Sequence, residues 1–229
     1  MSTANGAASG SAARSRAFYR ALGATGLAIR TKPEWDEQIL AALLELLPPA
    51  GRVLDVGCGY GRVAIPLARL GYEVTGFDVS RNLLRAARRE ARRRGLAIRF
   101  DEGSMTAMPY DAGTFDAVVC LWTAFHELLE EAEQVAALGE MFRVLRPGGR
   151  GVIDGPGYAP ATDEEIASGV RRGPDHRVVS SIIAGRRMEY VAHDPGSFGR
   201  LANAAGIGRW QVIVRDWAGR DRQILLFGR

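Results

Sequence analysis

Histidine, cysteine and lysine are scarce in this chain, and each scarcity closes a route to function. Three histidines and two cysteines in 229 residues are too few for a clustered metal centre, so no metal is expected. Cys58 and Cys120 fall in a glycine-rich loop and an apolar run, which is no disulfide framework. With no apolar signal core near the start, this points to a cytoplasmic protein. No run approaches the ~20 apolar residues that span a bilayer, so no membrane partner is expected. Lys32 is the only lysine, and the net charge of +4 is carried by arginine. Arg81, Arg85, Arg88, Arg89, Arg92, Arg93 and Arg94 have the spacing of a solvated helix face. No aromatic residues interleave with them to stack bases, which argues against nucleic acid as a partner.

What remains is an ordinary globular balance, 47% hydrophobic and 24% charged, enough for one α/β domain with a modest insertion. Residues 1–15 are Ser/Ala/Gly-rich and read as a disordered tail. Helical periodicity over 34–47 ends at Pro48, Pro49 and Gly51 and makes 16–50 an N-terminal helical lid. From 51 to 155 short apolar strands (52–56, 72–79, 97–100, 115–122, 150–153) alternate with helices. The clearest helix carries the stripe Leu128, Ala132, Val135, Leu138, Phe142 and Leu145. That alternation predicts a Rossmann-like, mostly parallel seven-stranded sheet with helices on both faces. Residues 156–196 break the pattern. A short helix near 163–169 and a hairpin around Ala184-Gly185-Arg186 form an insertion for substrate binding or for pairing two subunits in a homodimer. Residues 197–229 then supply a helix capped by Ser197 and an antiparallel C-terminal hairpin turning around Gly219.

The chemistry is concentrated at Asp55-Val56-Gly57-Cys58-Gly59-Tyr60-Gly61. A strand running through glycines into a helix makes a nucleotide site, because glycine tolerates positive φ and close approach while the helix start offers N–H groups. Asp78 ends the next strand, where a carboxylate can accept from both ribose hydroxyls. Taken alone, Gly59-Tyr60-Gly61-Arg62-Val63-Ala64 also satisfies a dinucleotide fingerprint, so an NAD-dependent oxidoreductase stays open at this point.

The wider context resembles the class I S-adenosylmethionine-dependent methyltransferases. Residues 53–61 are similar to their first motif, Thr75-Gly76-Phe77-Asp78-Val79-Ser80 to their second strand, and 115–119 to their fourth. Arg146-Pro147-Gly148-Gly149 looks like the turn into their fifth strand, and Ala204-Ala205-Gly206-Ile207 with two closing strands like their terminal hairpin. The resemblance implies S-adenosylmethionine as cofactor, with Gly57, Gly59 and Gly61 cradling its methionine end and Asp55 near the ammonium. It places Asp78 and the adjoining Val79 on the ribose. The family's usual adenine-binding acid is replaced by Ser104, beside Met105; Asp101 or Glu102 are alternatives.

Methyl transfer is an in-line displacement in which alignment and exclusion of water matter most. Ligands in open α/β sheets lie beyond the carboxyl ends of the strands, which brings Leu121, the segment to Glu127, and residues 154–158 to the site. His126 is the candidate catalytic base; His176 and His193 are weaker candidates, and Asp154 is a candidate for holding an amine. Tyr19, beside Phe18, is expected to close over the cofactor. Trp35, Trp122 and Phe125 are candidate aromatic surface. The expected reaction is methylation of an N or O atom of a small-molecule acceptor, in metabolism or natural-product assembly. An RNA or protein methyltransferase and a non-catalytic cofactor-binding protein remain as alternatives.

Overall fold

The computed structural model describes residues 10–28, 32–156, 163–167, 171–172, 178–216 and 221–229. His176 and Gly219, and most of the segment 156–177, lie outside the described residues. Strands β1 (Arg52–Val56), β2 (Glu73–Asp78), β3 (Arg99–Glu102), β4 (Phe115–Cys120), β5 (Leu145–Pro156), β9 (Trp210–Asp216) and β10 (Asp221–Gly228) form one seven-stranded sheet in the order β3-β2-β1-β4-β5-β10-β9. β1 to β5 are parallel to one another, and β10 is antiparallel to both β5 and β9. Helices α1 (Gly10–Ala28), α2 (Pro33–Leu44), α3 (Ala64–Arg69), α4 (Arg81–Arg93), α5 (Glu131–Val144) and α7 (Pro195–Ala204) accompany it. The insertion contributes α6 (Asp163–Ala167) and a second sheet of β6 (Arg171–Arg172), β7 (Val178–Ile183) and β8 (Arg186–Val191).

The central strands are buried on both faces, so their residues divide between two cores by simple alternation. Leu54, Val56 and Val118 join Phe125, Leu138 and Met141 on one side, whereas Val53 and Val119 join Leu43, Leu67 and Leu84 on the other. Burying each such side chain contributes roughly 1.5–3 kcal/mol. β1 has β2 on one flank and β4 on the other, so chain connections leave it in opposite directions. The crevice at its carboxyl end is therefore the topological switch point at which open α/β sheets bind ligands.

Several expectations need correction. The tail does not run to residue 15: α1 begins at Gly10, with Ser11 and Ala12 buried. Ser11 is drawn in because its main-chain N–H donates to Glu133 (3.3 Å) and its hydroxyl accepts from the Leu129 amide (3.2 Å). The buried face of α5 is Gln134, Ala137, Leu138, Met141 and Val144, and Ala132 is exposed. The helix is rotated because Gln134 turns inward to donate to the Leu128 carbonyl at 2.7 Å. α7 is capped by Asp194, which accepts from the Ser197 amide, and not by Ser197. The hairpin expected around Ala184-Gly185-Arg186 is present, its turn being Ala184-Gly185, both with positive φ (48° and 74°), the signature of a two-residue turn matched to strand twist.

Candidate active site

The loop after β1 is fixed from both sides. Gly57 and Cys58 N–H groups donate to the Phe77 carbonyl at the end of β2 (2.7 and 3.2 Å). Gly57 has φ 73°, and a Cβ there would stand 2.4 Å from the Cβ of Ala124, so only glycine lets the segment after β4 close against the loop. Asp55, 2% exposed, uses Oδ2 to accept from the Ala64 N–H at 3.0 Å. That carboxylate therefore holds the start of α3 against the loop, and burial raises its pKa to about 7.

Asp78 reaches back across the crevice. Its Oδ2 accepts from the Gly59 N–H (2.9 Å) and its Oδ1 from the Ser80 N–H (2.7 Å). Burial raises it to about 6 against the lowering effect of those two bonds. Each carboxylate oxygen retains a second lone pair, so Asp78 can still accept from two vicinal hydroxyls. The positive-φ glycines, the carboxylate at the next strand end and the crevice between them fit a nucleoside cofactor. Ser104 and Met105 follow β3 and are partly buried. The Ser104 hydroxyl pairs with that of Thr106 at 2.8 Å. Asp101 and Glu102, the alternative adenine acids, are engaged in ion pairs with Arg99 (2.7 Å) and Arg81 (2.8 Å). Leu121 is buried at the end of β4, and the half-buried Val79 offers its carbonyl to Arg16 Nε at 3.4 Å.

That last contact is one of several by which α1 covers the crevice. The Arg14 guanidinium donates to the Glu127 main-chain carbonyl (3.1 Å), Ser15 Oγ to Glu127 Oε2 (2.7 Å) and the Tyr19 hydroxyl to Glu127 Oε1. Tyr19 is thus placed over the site, and a cavity of ≈ 140 Å³ opens beside it, lined by Arg14, Ser15, Phe18 and Glu127 with Arg187, Met188 and Glu189 of β8. Burial raises the Glu127 carboxyl to about 7, against the hydroxyl donors Tyr19 and Ser15.

The structure separates the other candidates. Phe125 to Glu127 form one 3-10 turn. His126 faces the interior, wholly buried, where Nδ1 lies 2.7 Å from the Val191 carbonyl and must donate to it. Burial, with the nearby His193 and Arg222, depresses its pKa well below the usual imidazole value. His193 is also buried, with its ring 5.2 Å from that of His126. Asp154 is wholly buried in an ion pair with Arg222 (Nε to Oδ2, 2.8 Å), and its Oδ1 accepts from the Trp122 N–H at 2.7 Å. It braces the loop after β4, where Trp122 and Thr123 hold positive φ of 59° and 78°, rather than facing a ligand. Phe125 stacks on Phe198 in the core, and Trp122 lies under the Arg62 guanidinium at 3.7 Å. Trp35 packs against the core that contains Leu43. The residue not singled out from sequence is Glu127. Its signal was faint: an acid one position from a favoured histidine, in a segment already placed at the strand ends.

Comparison with known proteins agrees with this geometry. Residues 53–149 match a family model described as a methyltransferase domain. The chain is 40% identical over 121 residues to a demethylmenaquinone methyltransferase of Thermus thermophilus, covering 52% of each protein. It is 36% identical over 179 residues to methyltransferase GfsG of Streptomyces halstedii, covering 76% of this chain and 59% of that one. The chain therefore spans just over half the length of these curated relatives. Among solved structures, it shares its fold with CalS10, an amino pentose methyltransferase of Micromonospora echinaspora with S-adenosylmethionine bound (TM-score 0.62, 24% identity, 93% of this chain and 96% of that one). The 3-2-1-4-5-10-9 strand order, with the glycine loop facing Asp78, accords with the methyltransferase-domain match over residues 53–149.

Proposed function

We propose that the chain transfers the methyl group of S-adenosylmethionine to a nitrogen or oxygen atom of a small-molecule acceptor. The observation that carries this reading is the placement of one helix over two places. α1 reaches the end of β2 beside Asp78, where Arg16 donates to the Val79 carbonyl, and it also bonds Glu127, which lines the cavity with Phe18 and Met188. When bound, the cofactor supplies an electrophilic methyl group on a sulfonium. In this reading Gly57, Gly59 and Gly61 give it backbone clearance, Asp55 supports the loop beneath its ammonium end, and Asp78 with Val79 holds the ribose. Ser104 and Met105 flank the adenine, and Leu121 closes the floor. Tyr19 and the rest of α1 exclude water, which strengthens every polar contact beneath it. His126 acts as a positioning residue that ties the loop after β4 to β8, in place of the base role expected from sequence. The relatives named for demethylmenaquinone and an amino pentose support a small acceptor.

The reading is tested by incubating the protein with S-adenosylmethionine and a panel of quinols, phenols and amino sugars. Release of S-adenosylhomocysteine with a methylated product is the expected result. Binding of NAD without binding of S-adenosylmethionine would refute it.

A further inference from the structure

Glu127 is unusual in having no cation bonded to its buried carboxylate. Its carboxylate is 7% exposed, and its contacts are two hydroxyls, Ser15 Oγ at 2.7 Å and the Tyr19 hydroxyl. Among the described residues it makes no ion pair. Arg14 is close enough to favour the ionised form, but its Nη2 hydrogen bonds go to the Glu127 main-chain carbonyl (3.1 Å) and the Ser11 hydroxyl (2.9 Å), not to the carboxylate. The other charged groups facing it are Asp78 from β2, which repels it, and Arg187 and Glu189 from β8, one of each sign, which line the same cavity. A carboxylate taken out of water without a cation is costly, and the cost is recovered when a cation arrives. Main-chain geometry brings that site beside the glycine loop, because Ala124, three residues earlier, lies against Gly57, and Asp78 is near enough to act on the carboxylate.

We propose that Glu127, held between Ser15 and Tyr19 of α1, is the counter-charge that makes the closed site prefer the cationic sulfonium of S-adenosylmethionine to the neutral thioether of S-adenosylhomocysteine. This rests on the methyltransferase reading above and adds a specificity-determining residue to it. It also gives product release a physical cause. Transfer removes the positive charge from sulfur, the carboxylate is again uncompensated, and the contact that retained the cofactor is gone. The carboxyl's pKa of about 7 makes the preference titratable: it grows as pH rises and Glu127 ionises.

The test is calorimetric titration of S-adenosylmethionine and S-adenosylhomocysteine into wild type and Glu127→Gln at about pH 6 and about pH 8. Wild type is expected to favour the sulfonium about tenfold more strongly at the higher pH, the scale of one hydrogen-bonded charge contact. Glu127→Gln is expected to lose that preference while its affinity for S-adenosylhomocysteine holds. Equal loss for both ligands would overturn the proposal and assign the carboxylate to the shared ammonium. No change for either would overturn it and assign the carboxylate to the acceptor. Wild type binding neither ligand would instead remove the methyltransferase reading itself. If Glu127→Gln fails to fold by circular dichroism, Tyr19→Phe serves. Loss of one donor raises the carboxyl further and must move the midpoint of the pH-dependent preference upward; an unmoved midpoint refutes the idea.

Discussion

Replacing Asp78 with asparagine should weaken cofactor binding and, at the same time, leave the ligand-free protein as stable as wild type or more so. The side chain is 8% exposed and spends one lone pair on Gly59 and one on Ser80. Its two remaining lone pairs, offered to ribose hydroxyls, are charge-assisted acceptors worth roughly 1.5–3 kcal/mol together after desolvation, or about 10- to 150-fold in Kd. Stability runs the other way. The folded pKa of about 6 lies above the unfolded value of about 3.9. The contribution of this group is therefore fully present below about pH 4 and is lost as pH rises through about 6. The shift corresponds to ~3 kcal/mol of strain in the ionised, ligand-free fold. Asparagine carries no charge and so escapes that strain above about pH 7, but it can accept from only one of the Gly59 and Ser80 N–H groups, which offsets part of the gain. Calorimetric titration and thermal unfolding at about pH 4 and about pH 7 read both effects. If affinity and stability fall together at neutral pH, Asp78 is a structural clamp and its assignment to the ribose is wrong.

Two further substitutions probe the frame around that carboxylate. Gly57→Ala forces a side chain into positive φ and onto Ala124, so it should abolish measurable S-adenosylmethionine binding and destabilise the fold by about 1–3 kcal/mol; retention of wild-type affinity in titration would show that the loop can shift away. Asp154→Ala strands Arg222 in the core and frees the Trp122 amide, and should cost about 3–5 kcal/mol in urea unfolding. Adding Arg222→Met should recover much of that loss, because the uncompensated charge leaves with it; a double variant no better than the single would contradict the ion-pair account.

The sheet was legible because its signals are local and redundant. Val53-Leu54 and Val118-Val119 are apolar on successive positions, which is what strands covered on both faces require, and Gly57, Asp78 and Gly148 punctuate them at the right intervals. The misread parts depend on contacts distant in sequence. Ser11 is helical because it meets Glu133 and Leu129, and composition alone carries no trace of that. α5 rolls because one glutamine finds a carbonyl six residues back.

The exchange of roles between His126 and Glu127 has the same origin at a finer scale. In a 3-10 turn, with three residues per turn, neighbouring side chains point about 120° apart. The sequence places both residues at the strand ends, but only the docking of β8 and α1 decides which one turns inward. β8 offers the Val191 carbonyl, a strong acceptor that captures the histidine donor. α1 offers two hydroxyls, donors that suit a carboxylate. Had the two residues been exchanged, the acid would face a carbonyl it cannot bond when ionised, and would be buried without a donor. The order His-Glu is thus the one compatible with the elements packed on either side, and it leaves the carboxylate, not the imidazole, facing the crevice.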